Sequence, residues 1–345
     1  MTFSVRRLRP LALFACLLTA LAIAPGAGSS ASKRSWAQPQ IRVVVARGLM
    51  APSVATFRPK DALTHGELAE LVAGLTEQPL KPVANPAAPV TMAQLDAKLV
   101  RMLELGDEAS LFDDAAVAAG LRPPARFGTE VVARLIGLRT NHEAGRDDLE
   151  RLPGDPAPRA EAAYSVAQIL RLSEWETSSV EDAASSFELP ALTPWQRRVL
   201  TTAVGFIGYP YVWGGEFERP DSPFGAQLQG GFDCSGFAWR VYKLQSYTGA
   251  PQLATTLAGR TAAAMAGEVP RRQRIKVARL APADLLFFGP GGPRAKAAQI
   301  DHMGLYLGNG WMIHSSRYGV ALAQVGGWYD NRLAWGRRPL AQAGL

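Results

Sequence analysis

Cysteine is almost missing from this chain: Cys16 and Cys234 are the only two among 345 residues. Histidine is scarce too, with four. These shortages exclude a disulfide framework and leave no cysteine cluster for a structural zinc ion, so no metal and no organic cofactor is expected. The one long apolar run, Leu11 to Ala24, is too short to span a bilayer comfortably, and no transmembrane segment is expected in the mature chain. No nucleic-acid-binding motif is present, which removes nucleic acid as an expected partner. Disorder throughout is excluded as well, because 48% of the residues are hydrophobic, enough for two globular domains.

What is present begins with a leader. Arg6, Arg7 and Arg9 precede the apolar run, and the small residues Ala27, Ser29 and Ala31 follow it. Residues 1–37 are therefore expected to be a secretory signal peptide, and the protein to be secreted, extracytoplasmic and associated with the cell wall. Cys16 lies inside the leader, so Cys234 is the only thiol expected in the mature chain. The net charge of +7 is unevenly spread: residues 1–37 carry +5, residues 38–193 carry −7 and residues 194–345 carry +9. An acidic segment followed by a basic one predicts two domains with different surfaces.

Residues 38–172 read as short helices between turn-rich connectors. Thr64 and Glu67 form a capping-box pattern, and Leu68, Leu71, Val72 and Leu75 follow at helical spacing. A second helix is predicted from about Thr91 through Leu95, Leu99 and Leu103, and a third after Pro158 through Tyr164, Val166 and Ile169. Phe57-Arg58-Pro59, Leu63-Thr64 and Pro158-Arg159-Ala160-Glu161 resemble motifs of S-layer homology repeats, in three diverged copies over residues 41–172. That resemblance implies contact with anionic cell-wall polysaccharide. His65 and His142 are expected in solvent-exposed turns. The Glu-, Ser- and Ala-rich stretch 173–192 is expected to be a linker to a second domain, 193–345.

The second domain carries the chemistry. Thr193-Pro194 predicts a helix running through Val199, Leu200 and Val204. Asp233 reads as an N-cap that puts Cys234 in the first turn of the next helix, where the helix dipole favours a thiolate. Downstream, His302 and His314 flank Asn309-Gly310. In a hairpin with a bulge at Gly310, Leu305 opposes Ile313 and the apolar side chains share one face. His302 and His314 then share the other, roughly 7–8 Å apart on a diagonal. One cysteine and two histidines in this arrangement predict a thiol nucleophile, its base and an orienting partner.

Pro210-Tyr211-Val212-Trp213-Gly214-Gly215, Asp233-Cys234-Ser235-Gly236-Phe237, Pro282-Ala283-Asp284-Leu285-Leu286-Phe287-Phe288 and His302-Met303-Gly304-Leu305-Tyr306 resemble, in order, the motifs of NlpC-type cell-wall cysteine peptidases of the papain-like superfamily. The resemblance implies an α+β fold in which a nucleophile helix packs on an antiparallel sheet, preceded here by the small, mainly helical domain. It implies hydrolysis of peptidoglycan stem peptides, commonly between D-Glu and a diamino acid. By the same resemblance Cys234 is the nucleophile, His302 the base and His314 its orienting residue. Tyr211, Asp233 and Ser235 match substrate-binding positions, the last two receiving the free amine of the stem's L-Ala. Arg219, Asp221 and Gln227, in the long loop before Cys234, are expected to reshape substrate selection. The competing readings are an amidase of the same superfamily, cutting between muramic acid and L-Ala, and a non-catalytic wall-binding protein.

Overall fold

The computed structural model describes residues 34–142 and 149–345, and Ser35–Leu345 form one compact unit. The expected leader, residues 1–37, lies outside the described residues except for its last four. Of those, Ser35 and Ala37 are buried, so the folded unit starts ahead of residue 38.

The N-terminal half is helical: α1 (Gln38–Ala46), α2 (His65–Thr76), α3 (Met92–Met102), α4 (Gly106–Ala118), α5 (Phe127–Leu135) and α6 (Arg159–Ile169). The capping-box residues start α2 as the sequence predicts: Thr64 Oγ1 accepts from the Glu67 amide and Glu67 returns the bond to the Thr64 amide. Thr91 and Gln94 do the same for α3. The entries to α2, α3 and α6 are tied in a closed ring. Leu63 N–H donates to Ala157 O, Ala157 N–H to Val90 O, and Val90 N–H to Leu63 O, each at 2.8 Å.

Beneath that ring lies a buried ion network that the pattern of apolar residues does not disclose. Arg139 bonds Asp96 at 2.9 Å and Glu161 at 3.1 Å, and Arg134 bonds Glu150 at 2.9 Å. His142, expected in an exposed turn, is buried instead, 3.1 Å from Glu161 and stacked on Trp36. A lone histidine has no periodicity, so sequence reasoning had no means of assigning it to the interior.

Residues 173–192, expected to be a linker, instead carry α7 (Glu174–Ser186). A Glu/Ser/Ala composition suits a linker and also the exposed face of a helix. Here Val180, Ala184 and Phe187 recur at i, i+4 and i+7 and are buried. Phe187 packs on Phe112 of α4 and edge-on against Trp311, each with centroids 5.1 Å apart. The two halves are therefore continuous through a shared core. Arg126 donates to Gly205 O and Ile207 O, and Arg134 to Gly208 O and Tyr318 O.

The C-terminal half opens with α8 (Pro194–Gly205), capped by Thr193. Two short antiparallel pairs follow, β1 (Glu216–Phe217) with β4 (Gly231–Phe232) and β2 (Asp221–Ser222) with β3 (Gly225–Ala226). Then come α9 (Cys234–Tyr242) and a five-stranded antiparallel sheet. The sheet holds β5 (Leu285–Phe288), β6 (His302–Gly308), β7 (Trp311–Ser316), β8 (Gly319–Gln324) and β9 (Leu333–Arg337), in the order β8-β7-β6-β5-β9. Helix α9 packs on β6 and β7.

Candidate active site

Cys234 is the first residue of α9. Asp233 caps that helix, its Oδ1 accepting from the Gly236 amide at 2.6 Å. Ser315 of β7 donates to Phe232 O at 2.7 Å and so ties the turn ahead of Cys234 to the sheet. Gly236 is needed for a reason other than sheet approach: a Cβ there would lie 1.9 Å from Gly215 O, so it admits the 210–215 loop against the helix.

The two histidines arrive from adjacent strands. Leu305 pairs with Ile313, the register that the apolar pattern selects. The irregularity falls between Tyr306 and Gly308 rather than at Gly310, because Asn309 and Gly310 both adopt positive φ (47° and 80°) and close a two-residue turn. His302 Nε2 and His314 Nδ1 meet at 2.8 Å. Gly304 leaves room for them: a Cβ there would stand 3.1 Å from the His314 Cβ and 3.2 Å from Met312 Sδ.

That single contact constrains the proton inventory. For His302 to accept a proton at Nδ1, its Nε2 must carry hydrogen and donate to His314 Nδ1, which leaves the hydrogen of neutral His314 on its Nε2. Burial governs the charges. It pushes the Cys234 thiol up to about 12, with the Asp233 carboxylate adding to the effect and the backbone amides of Met303, Ser235 and Cys234 opposing it. It lowers His302 to about 4 and holds His314 well below the usual imidazole range. Both shifts favour the uncharged forms, a thiol and a neutral imidazole. The helix start alone suggested a thiolate; desolvation outweighs it here.

Around this centre stand groups the sequence singled out and others it did not. Tyr211 is half-buried, and its phenol is pushed up to about 12 by burial first and then by the nearness of Cys234. Asp233 and Ser235 are bonded to each other at 2.9 Å. Both also receive Arg260, which donates to Asp233 Oδ1 at 3.1 Å, to Ser235 Oγ at 2.9 Å and to Glu216 at 2.7 Å. No motif marks Arg260; it lies far along the chain, just ahead of the short helix α10 (Ala262–Gly267), and only folding brings it here. Tyr329 was also missed. Its ring lies 6.0 Å from His302 and 5.4 Å from His314, between centroids, and closes one side of the pair.

In the loop before Cys234, Gln227 turns inward. Its Oε1 accepts from the Glu216 and Phe217 amides and its Nε2 donates to Phe217 O, so it staples the loop instead of facing a substrate. Arg219 lies over the Phe217 ring, 5.3 Å from its centroid.

Residues 208–337 match the model of the NlpC/P60 family. Over 125 residues the chain is 33% identical to a gamma-D-glutamyl-L-lysine dipeptidyl-peptidase of Bacillus subtilis, covering 36% of this chain and 33% of that one. Over 141 residues it is 32% identical to the bifunctional muramidase/DL-endopeptidase CwlT of the same organism, covering 40% of this chain and 35% of that one. The chain thus spans about a third of the length of these curated relatives. Among solved structures, an NlpC/P60 family protein from Bacillus cereus is 26% identical, with a TM-score of 0.32, over 44% of this chain and 42% of that one. Nothing in these comparisons supports the S-layer homology reading of residues 41–172 or the polysaccharide contact drawn from it. The matched segment contains every one of the residues described around Cys234, and the C-terminal half of the chain carries an NlpC/P60 domain.

Proposed function

We propose that the protein is a cysteine endopeptidase acting on peptidoglycan stem peptides, at the bond between D-Glu and the diamino acid. The observation that carries this reading is Cys234 at the start of α9, which packs on the two strands that bear the hydrogen-bonded His302–His314 pair, inside an NlpC/P60 domain. The relatives are named as peptidases.

In this mechanism the neutral His302 takes the thiol proton at Nδ1 as sulfur attacks the stem carbonyl, and His314 holds the imidazolium through the Nε2 bond. The Cys234 amide, which has no intrahelical acceptor at the first turn, donates to the developing oxyanion. His302 then returns its proton to the departing amine, leaving the acyl group on sulfur. Water, deprotonated by His302, releases the acid and restores the thiol. Tyr211, Asp233 and Ser235 receive the L-Ala end of the stem, with Arg260 and Glu216 fixing the orientation of Asp233.

The deciding experiment is mass spectrometry of defined muropeptides incubated with the protein, with Cys234→Ala as control. Cys234-dependent release of an L-Ala-D-Glu fragment supports the reading. Cleavage next to muramic acid replaces it with an amidase, and no product from any stem refutes it in favour of a binding protein.

A further inference from the structure

We propose that a groove in the helical half receives the outer face of α7 from a second copy of the chain, so that the protein self-associates. The inference goes beyond the endopeptidase reading and depends on none of its chemistry.

The groove, about 900 Å³ in volume, lies between α2 and α3. Leu68 and Val72 of α2 and Ala97 and Met102 of α3 give it an apolar lining. Its charged lining residues are all cationic: Lys81, Lys98, Arg101 and Arg126. Arg126 is committed to Gly205 O and Ile207 O. Lys81, Lys98 and Arg101 are exposed and have no ion pair among the described residues. These cations gather in a segment, residues 38–193, whose net charge is −7. An apolar floor with free cations along its rim selects an occupant that carries both an apolar anchor and carboxylates.

Helix α7 presents that combination. Val180 and Ala184 pack inward, while Glu174, Trp175, Glu181 and Asp182 are exposed. Glu174 and Glu181 stand two helical turns apart, as do Trp175 and Asp182, so the four share one face. Trp175 is 74% exposed, and no aromatic or cationic side chain is stacked on it among the described residues. The α2 wall of the groove, Leu68 to Thr76, and the α7 face, Glu174 to Asp182, are each about 12 Å long at ~1.5 Å per residue. With its inner face packed on its own chain, α7 offers this outer face to another molecule. An indole entering an apolar pocket, with carboxylates against a cationic rim, has the make-up of an interface hot spot.

Sedimentation equilibrium of the protein tests this. The wild type is expected to show a weight-average mass above that of a monomer, rising with protein concentration and falling as salt is added. Trp175→Ala, and separately Lys98→Glu with Arg101→Glu, should each weaken association by about tenfold or more. Adding Glu181→Lys and Asp182→Lys to the groove variant should restore it, because the charges are then exchanged across the same contact. All of these positions are exposed, and circular dichroism checks that each variant is folded. A wild type that is monomeric at every concentration overturns the proposal, as does association that neither variant weakens. Uptake of dodecanoate by such a monomer, lost in the groove variant, would make the groove a small-ligand site instead.

Discussion

At the scale of single residues, the proposed mechanism moves protons among Cys234, His302 and His314, of which His314 is buried and the other two are partly buried. Cys234→Ser and His302→Ala are each expected to lower turnover by about 10³-fold or more with unchanged far-ultraviolet circular dichroism. His314→Ala should cost about 10–100-fold if its bond to His302 orients the proposed base. The acid limb of kcat/KM should fall with His302, whose lowered pKa of about 4 keeps it neutral, and able to accept, at every pH well above that value. A limb near the ordinary imidazole value would contradict the buried geometry. The raised thiol makes a second, independent statement: thiolate absorbance, wild type minus Cys234→Ala, should be absent at pH 7. The place of Cys234 at a helix start and the meeting of the two histidines were legible from spacing and hydrophobic pattern. Their charge states were not, because desolvation depends on what the rest of the chain packs over them, Tyr329 included.

At the scale of elements, two glycines let separate pieces of chain approach. Gly236→Ala would drive a Cβ to 1.9 Å from Gly215 O, and backbone cannot yield cheaply. A destabilisation of about 1–3 kcal/mol by chemical denaturation is expected, and activity should fall as the 210–215 loop shifts. A variant as stable as wild type would mean that the loop is not held against α9. The β6–β7 hairpin shows how far patterning reaches. The apolar alternation of Leu305 and Ile313 selected the register that unites the histidines, whereas the position of the bulge followed from the backbone twist at Asn309-Gly310. Helix α7 marks the opposite case: its composition fits a linker equally well, and only the partners of Val180, Ala184 and Phe187 make it a packed helix.

At the scale of the whole molecule, the helical half is bound into the NlpC/P60 half through Arg134, Arg126 and the aromatic contacts of Trp311. Arg134→Ala, leaving Glu150 buried and unpaired, should destabilise the chain by about 3–5 kcal/mol. Glu130 beside it is raised to about 7, chiefly by burial and then by the charge of Asp96. Because the folded value exceeds the unfolded one, its contribution is fully present below about pH 4.5 and is lost as pH rises through about 7. Wild type should therefore lose more thermal stability than Glu130→Gln between pH 5 and pH 8. Equal losses in melting experiments would rule Glu130 out as the titrating group.

The sequence by itself determined the elements whose cues are local: the capped helices α2, α3 and α8, the start of α9 at Cys234, and the face shared by His302 and His314. It also determined the family of the C-terminal half, because four motifs in order depend on no distant contact. Tertiary structure alone decided the rest. The interior position of His142, the arrival of Arg260 at Asp233 and Ser235, the desolvation of the thiol and the joining of the two halves all arise between residues tens to hundreds of positions apart. Local propensity and periodicity carry no information about such pairs, and burial, which sets their energetics, exists only once the chain has closed around them.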